Sequence, residues 1–155
     1  MVDQWAIAQR LIGHWEGPAT GRPGTGYQVR EYQPVLRGRF ILGTDVTRWD
    51  PSSEHPDGDV HEDLAVIDFE NAAASLVMRG FYSEGFVHEY RCVEAADDGS
   101  KLVFEADVKG GPEGMRARET MTFVAPDVLE SRFELAMPGG DFESYTFERL
   151  ARTPG

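Results

Sequence analysis

The chain has 155 residues, enough for one ordinary domain that buries roughly 70% of the surface its unfolded form would expose, and its composition, 41% hydrophobic and 27% charged, excludes the disordered class. Asp and Glu number 27 against 15 Lys and Arg, so the surface is anionic and disfavours nucleic acid and anionic membranes as partners. Cys92 is the lone cysteine, which excludes an internal disulfide and fits a reducing compartment.

The start, Met1-Val2-Asp3-Gln4-Trp5, carries neither a basic flank nor an apolar run long enough for export or insertion, so the expected location is cytoplasmic. From Asp3 to Ile12 the apolar residues Trp5, Ile7, Ala8, Leu11 and Ile12 recur near helical spacing, with Asp3 as N-cap and Gly13 as terminator. Beyond Gly13 the period changes to two. Strands are expected at about Trp15–Thr20, Tyr27–Leu36, Phe40–Trp49, Glu62–Phe69, Ala74–Tyr82, Phe86–Glu94, Lys101–Lys109, Met115–Val124, Leu129–Met137 and Phe142–Leu150. The turns between them are rich in Gly, Pro and Asp, as in Arg37-Gly38, Asp97-Asp98-Gly99-Ser100 and Pro138-Gly139-Gly140. Only Asp50–His61 is long, and it is expected to be a mobile loop at one rim. Ten tightly linked strands are too many for one flat sheet, so the expected fold is all-β: one domain over residues 1–155, a closed antiparallel up-and-down β-barrel of about ten strands with a short N-terminal helix.

Alternation assigns the faces. Phe86, His88, Tyr90 and Cys92 share one, and Met115, Ala117, Glu119, Met121 and Phe123 share another. With Leu102, Phe104 and Ala106, and with Leu129, Ser131, Phe133, Leu135 and Met137, they predict a mainly apolar interior interrupted by His88, Tyr90, Glu119 and Ser131.

The run Gly13-His14-Trp15 at the first strand resembles the Gly-x-Trp signature of the lipocalin-like, or calycin, barrels. Glu31-Tyr32-Gln33-Pro34-Val35-Leu36-Arg37-Gly38-Arg39-Phe40-Ile41 resembles the second hairpin of a bacterial lipocalin-like family of unknown function, and Phe142–Leu150 is similar to that family's last strand. The likeness runs from about Leu11 to Leu150 and implies a ligand-carrying barrel. The related nitrobindin-like barrels hold haem through a histidine on the final strand. That histidine is missing here, and Tyr145 is the nearest substitute on the closing strand.

Three functions are compatible with these residues. In the first, Phe86, Phe104, Met121, Phe133, Leu135 and Ser131 grip a small apolar or amphipathic molecule whose polar end is oriented by His88, Tyr90 and Glu119. In the second, the same pocket is a cofactor-free isomerase or cyclase with His88, Glu119 and Tyr90 as catalytic groups, because desolvation brings carboxyl and imidazole pKa values toward neutrality. In the third, the barrel is filled and acts through its outer surface as a homodimer. A structural role remains open for each group: Glu119 can pair with Arg30 or Arg132, and His88 with Tyr90. His55, Asp57, Asp59 and His61 alternate in the long loop, but solvation explains them better than a metal site, and no metal or other cofactor is expected. Cys92 lies inside a strand, where a packed thiol is expected rather than a nucleophile.

Overall fold

The computed structural model describes residues 2–154. Asp3 caps a short helix, α1 (Gln4–Gln9), its side chain accepting from the Ala6 amide at 3.0 Å. Ten strands follow: β1 (Gly13–Gly21), β2 (Gly24–Val35), β3 (Phe40–Trp49), β4 (Asp59–Glu70), β5 (Ser75–Tyr82), β6 (Val87–Ala95), β7 (Lys101–Asp107), β8 (Arg116–Ala125), β9 (Val128–Ala136) and β10 (Glu143–Thr153). Each pairs antiparallel with its sequence neighbours, and β10 returns to pair with β1, so the sheet closes into a barrel without free edges. Every strand expected from the period-two pattern is present and in order. The long loop is shorter than expected, because Asp59, Val60 and His61 already pair with Trp49, Arg48 and Thr47 as the start of β4.

One end of the barrel is sealed. Leu11, Trp15, Ile41, Ile67, Leu76, Leu102, Leu129 and Leu150 are fully buried there, and α1 lies across them through Ile7 and Ala8. The indole of Trp15 donates to the Leu11 carbonyl at 2.7 Å, which satisfies its only polar atom in an apolar setting. Arg152, from the far end of the chain, lies with its guanidinium carbon 4.2 Å from the Trp15 ring centroid. It also donates to the carbonyls of Ile12 at 2.6 Å and Arg10 at 2.8 Å, which α1 leaves unpaired. This contact explains Gly13: a Cβ there would stand 2.5 Å from Nη1 of Arg152, at a φ of +137°.

Two strand-interior glycines serve the interior in the same way. A Cβ at Gly43 would meet the Tyr32 ring at 2.6 Å, and one at Gly80 would meet the Tyr82 hydroxyl at 2.7 Å. The missing side chains let two tyrosines lie flat against the inner wall. A register shift between Ser144 and Thr146 in β10 then sets Glu148 and Leu150 inward, while Phe147 stacks under the Arg132 guanidinium at 4.9 Å.

Gly13→Ala should destabilise the protein by about 1–3 kcal/mol from backbone strain plus the clash with Arg152, lowering the melting temperature by roughly 5–10 °C. In an Arg152→Ala background the same substitution should cost distinctly less, because the clash is gone. Equal losses in both backgrounds, measured by thermal denaturation, would show that Arg152 does not dictate the glycine.

Candidate functional site

The other half of the lumen is polar, and it is built from neighbouring registers. Arg30, Asp45, Asp63 and Tyr82 occupy consecutive paired positions across β2, β3, β4 and β5, so their side chains form one continuous inward row. Gln28, Thr47 and His61 form the next row toward the mouth. Glu119 and Ser131 on β8 and β9, with Glu148 on β10, complete a girdle of hydrogen-bonding and titratable groups.

Arg30 is its centre. Nε and Nη2 donate to the Gln28 side-chain carbonyl at 3.0 and 2.6 Å, and Nη1 donates to the Tyr32 hydroxyl and to Ser131 Oγ, both at 3.2 Å. Gln28 in turn donates to Thr47 Oγ1 at 2.8 Å. The Ser131 hydroxyl donates to Glu119, so guanidinium and carboxylate are linked through a serine. Arg132 points outward, donating to Ser144. Of the two arginines expected as partners for Glu119, Arg30 therefore serves, through Ser131 and not by direct contact.

A second network lies across the lumen. The hydroxyls of Tyr82 and Tyr90 are 2.6 Å apart, and Nδ1 of His88 lies 3.2 Å from the Tyr90 hydroxyl. The Tyr82 and His88 rings are 5.0 Å apart by centroid. His88 is only 6% exposed, and its Nε2 is buried without a hydrogen-bond partner. Nearer the mouth, His61 is held between Asp63 at 2.6 Å and Glu84 at 2.5 Å.

Burial and charge set the proton inventory. Desolvation pushes Glu119 and Glu148 up to about 7, against the pull of Arg30. Asp45 is raised by desolvation and by the neighbouring Asp63. His61 is raised to about 9, chiefly by its hydrogen bond to Asp63. Desolvation lowers His88, which favours the neutral imidazole. It opposes the charge on Arg30 as well, but Tyr32, Asp45, Glu148 and Glu119 hold that group above the ordinary arginine value. Tyr82 and Tyr90 are raised, first of all by burial, and stay protonated.

The residues singled out in the sequence fall into three groups. His88, Tyr90, Glu119 and Ser131 belong to the polar half, and Phe104 and Met121 are buried in the wall beside them. Phe133 and Leu135 are half-buried toward the mouth, with the Tyr145 ring edge-on to Phe133 at 6.1 Å. Phe86 precedes β6 and is 44% exposed, so it sits at the rim and not in the lining, and Met137 lies beyond the end of β9 in solvent. Cys92 donates to the Glu94 carbonyl at 3.3 Å, and burial raises its thiol pKa, as suits a packed side chain. His55 and His61 do not converge on a common point: among the described residues no three His, Cys, Asp or Glu side chains are arranged to hold a metal ion.

Sequence reasoning missed Gln28, Asp45, Asp63, Tyr82 and Glu148, and it took Arg30 only as a partner for Glu119 and His61 only as a loop residue. The signal was present in β2 and β4, whose apolar alternates Tyr27, Val29, Val60 and Leu64 face solvent while the polar ones face the lumen. Apolar-inward patterning is inverted over Tyr27–Arg30 and Val60–Leu64, whereas further along Tyr32 and Ile67 face in.

No protein-family model matches the chain, and no curated protein matches it. Among solved structures, the crystal structure of Rv2717c from M. tuberculosis is similar at a TM-score of 0.65 and 13% identity, with 99% of each chain covered. A de novo designed fluorescence-activating β-barrel is similar at a TM-score of 0.46 and 19% identity, covering 99% of this chain and all of the design. The likeness to Rv2717c supports the closed barrel already described, and it supports the fold alone.

The carboxyls of Glu119, Glu148 and Asp45 keep their protons in the folded chain well above the pH at which the unfolded chain releases them. The folded state therefore binds more protons between about pH 4 and pH 7, and stability falls as pH rises through that window. His61, whose raised pKa adds stability that is lost toward pH 9, acts in the same direction, and His88 acts oppositely below its ordinary pKa. The melting temperature should drop by roughly 5–10 °C from about pH 6 to about pH 8.5, and Glu119→Gln should flatten that decline. A melting temperature that holds level or rises over the interval would contradict the inventory.

Proposed function

We propose that the protein binds a small amphipathic molecule in the polar half of its lumen. One observation carries this reading. Asp63, Ala65, Tyr82, Glu119, Phe133 and Leu135 all point inward and yet retain solvent contact, whereas the inward residues of the sealed end have essentially none. Inward side chains can stay wet only where the lumen is unfilled. Eight strands enclose an interior that side chains just fill, so ten leave room at whichever end α1 does not plug. The lining has the composition of a ligand site: apolar walls from Phe104, Met121, Phe133 and Leu135 and a few placed polar groups.

A second reading, proton transfer on a bound carbonyl compound, is favoured by Glu119 titrating near neutrality and by the free Nε2 of His88 at the end of the Tyr82–Tyr90–His88 chain. Catalysed deuterium uptake at the α-carbon of small ketones in heavy water, abolished in Glu119→Gln or His88→Ala, would be its signature.

The neutral dye Nile red tests the binding reading. Saturable one-to-one binding is expected, weakened by about tenfold or more in Leu135→Trp, which narrows the mouth, and in Ala65→Phe, which fills the depth. Circular dichroism would verify that both variants keep the barrel. Absence of saturable binding to the unaltered protein, or equal affinity in both folded variants, would overturn the reading.

A further inference from the structure

The lumen holds more negative side chains than it can balance. Four carboxyls face inward, Asp45 on β3, Asp63 on β4, Glu119 on β8 and Glu148 on β10, with Glu84 reaching His61 from the β5–β6 turn. The cations among them are Arg30 and His61. His61 is spent on Asp63 and Glu84. Arg30 directs its hydrogen bonds to neutral acceptors, Gln28, Tyr32 and Ser131, and its nearest carboxylate, Asp45, stands 4.0 Å away. Asp45, Glu119 and Glu148 thus share a single guanidinium, and Asp45 Oδ1 is buried without a hydrogen bond.

A separate observation points to what is missing. His88 is more than nine-tenths buried on the inner wall, and its Nε2 has no partner. If Nδ1–H donates to the Tyr90 hydroxyl, Nε2 carries a lone pair that no side chain of the inner wall meets. An acceptor buried without a partner is costly, so a guest that donates an N–H there is held by it. The surrounding faces of Tyr82 and Tyr90 are attractive to positive charge.

Given the binding role proposed above, on which this step rests, we propose that the guest is an organic cation: a primary or secondary ammonium on an apolar body, its charge met by the lumen carboxylates and an N–H donated to His88 Nε2. A metal ion fits poorly, because the carboxyls are spread over four strands around the girdle and do not converge among the described residues. An anionic guest would meet one engaged arginine and a majority of carboxylates.

Three matched probes separate the cases: phenylbutylamine, phenylbutanol and phenylbutyrate, each displacing Nile red near pH 8. The amine should bind about tenfold or more tighter than the alcohol, and the acid weakest. Glu119→Gln and Glu148→Gln should each reduce the amine-to-alcohol ratio several-fold, whereas His88→Phe, which removes an acceptor that N–H and O–H donors can both use, should weaken amine and alcohol alike. Calorimetry near pH 7 in buffers of different ionisation enthalpy should show proton release on amine binding and none with the alcohol. If the dye binds but the alcohol displaces it as well as the amine does, or if no probe displaces it, the cation proposal fails and the binding lumen stands. If the dye itself does not bind, both fail.

Discussion

Closure of the sheet through the pairing of β10 with β1 is the constraint from which the remaining features follow. It leaves the barrel without edges, and it also commits the inward side chain of every strand to one shared volume. Ten strands make a wider barrel than eight, so how each end is closed matters to what lies inside. The chain plugs one end with α1 and the closing strands. Trp15 follows α1 and Arg152 lies on β10, and their stacking joins helix, first strand and last strand in one contact. Gly13 is small so that this guanidinium can pass.

The open end has been furnished in a way that stability alone would not favour. A buried ion pair is weak evidence for stability, and replacing such groups by well-packed apolar residues is often neutral or better. Here three carboxyls are held in low-dielectric surroundings against one guanidinium, and an imidazole nitrogen is buried without a partner. Costs of this kind are gathered in one half of the lumen while the other half is an orthodox apolar core, and the proposed binding role gives them a reason. The tightly packed half supplies the stability against which they are set.

Much of the fold was legible because an antiparallel meander writes itself in two short-range signals, the period of two and the turn residues that interrupt it. Both are local, and all ten strands fall where those signals put them. The character of the lumen was less legible, since it depends on which alternate faces inward. In β8 and β9 the apolar alternates do, and Met121, Phe123 and Leu129 were placed correctly. Over Tyr27–Arg30 in β2 and Val60–Leu64 in β4 the same rule would misassign the faces, because Tyr27, Val29, Val60 and Leu64 are outward and Gln28, Arg30, His61 and Asp63 inward. Register with β3 and β5 overrides the local pattern: once Asp45 and Tyr82 face in, their paired neighbours must follow. The bulge after Ser144 had the same effect on Glu148, whose inward position no simple count along β10 reveals. Phe86 shows the opposite failure, a correct parity applied one residue beyond the strand, where the wall has ended.

Arg30 shows why the girdle has the residues it has. Its planar fork divides four donated hydrogen bonds among Gln28, Tyr32 and Ser131, and Gln28 is itself fixed by Thr47. A lysine at this position would offer one compact charge on a flexible stem and could not hold those three acceptors in a plane. Because the hydrogen bonds go to neutral groups, the positive charge is immobilised without being used up by any one carboxylate. Its field is then shared by Asp45, Glu119 and Glu148, whose carboxyls burial pushes upward while the guanidinium pulls them back. A lumen so arranged can gain or lose protons in response to whatever charge enters it, and the neutral cradle around Arg30 is what keeps that response available.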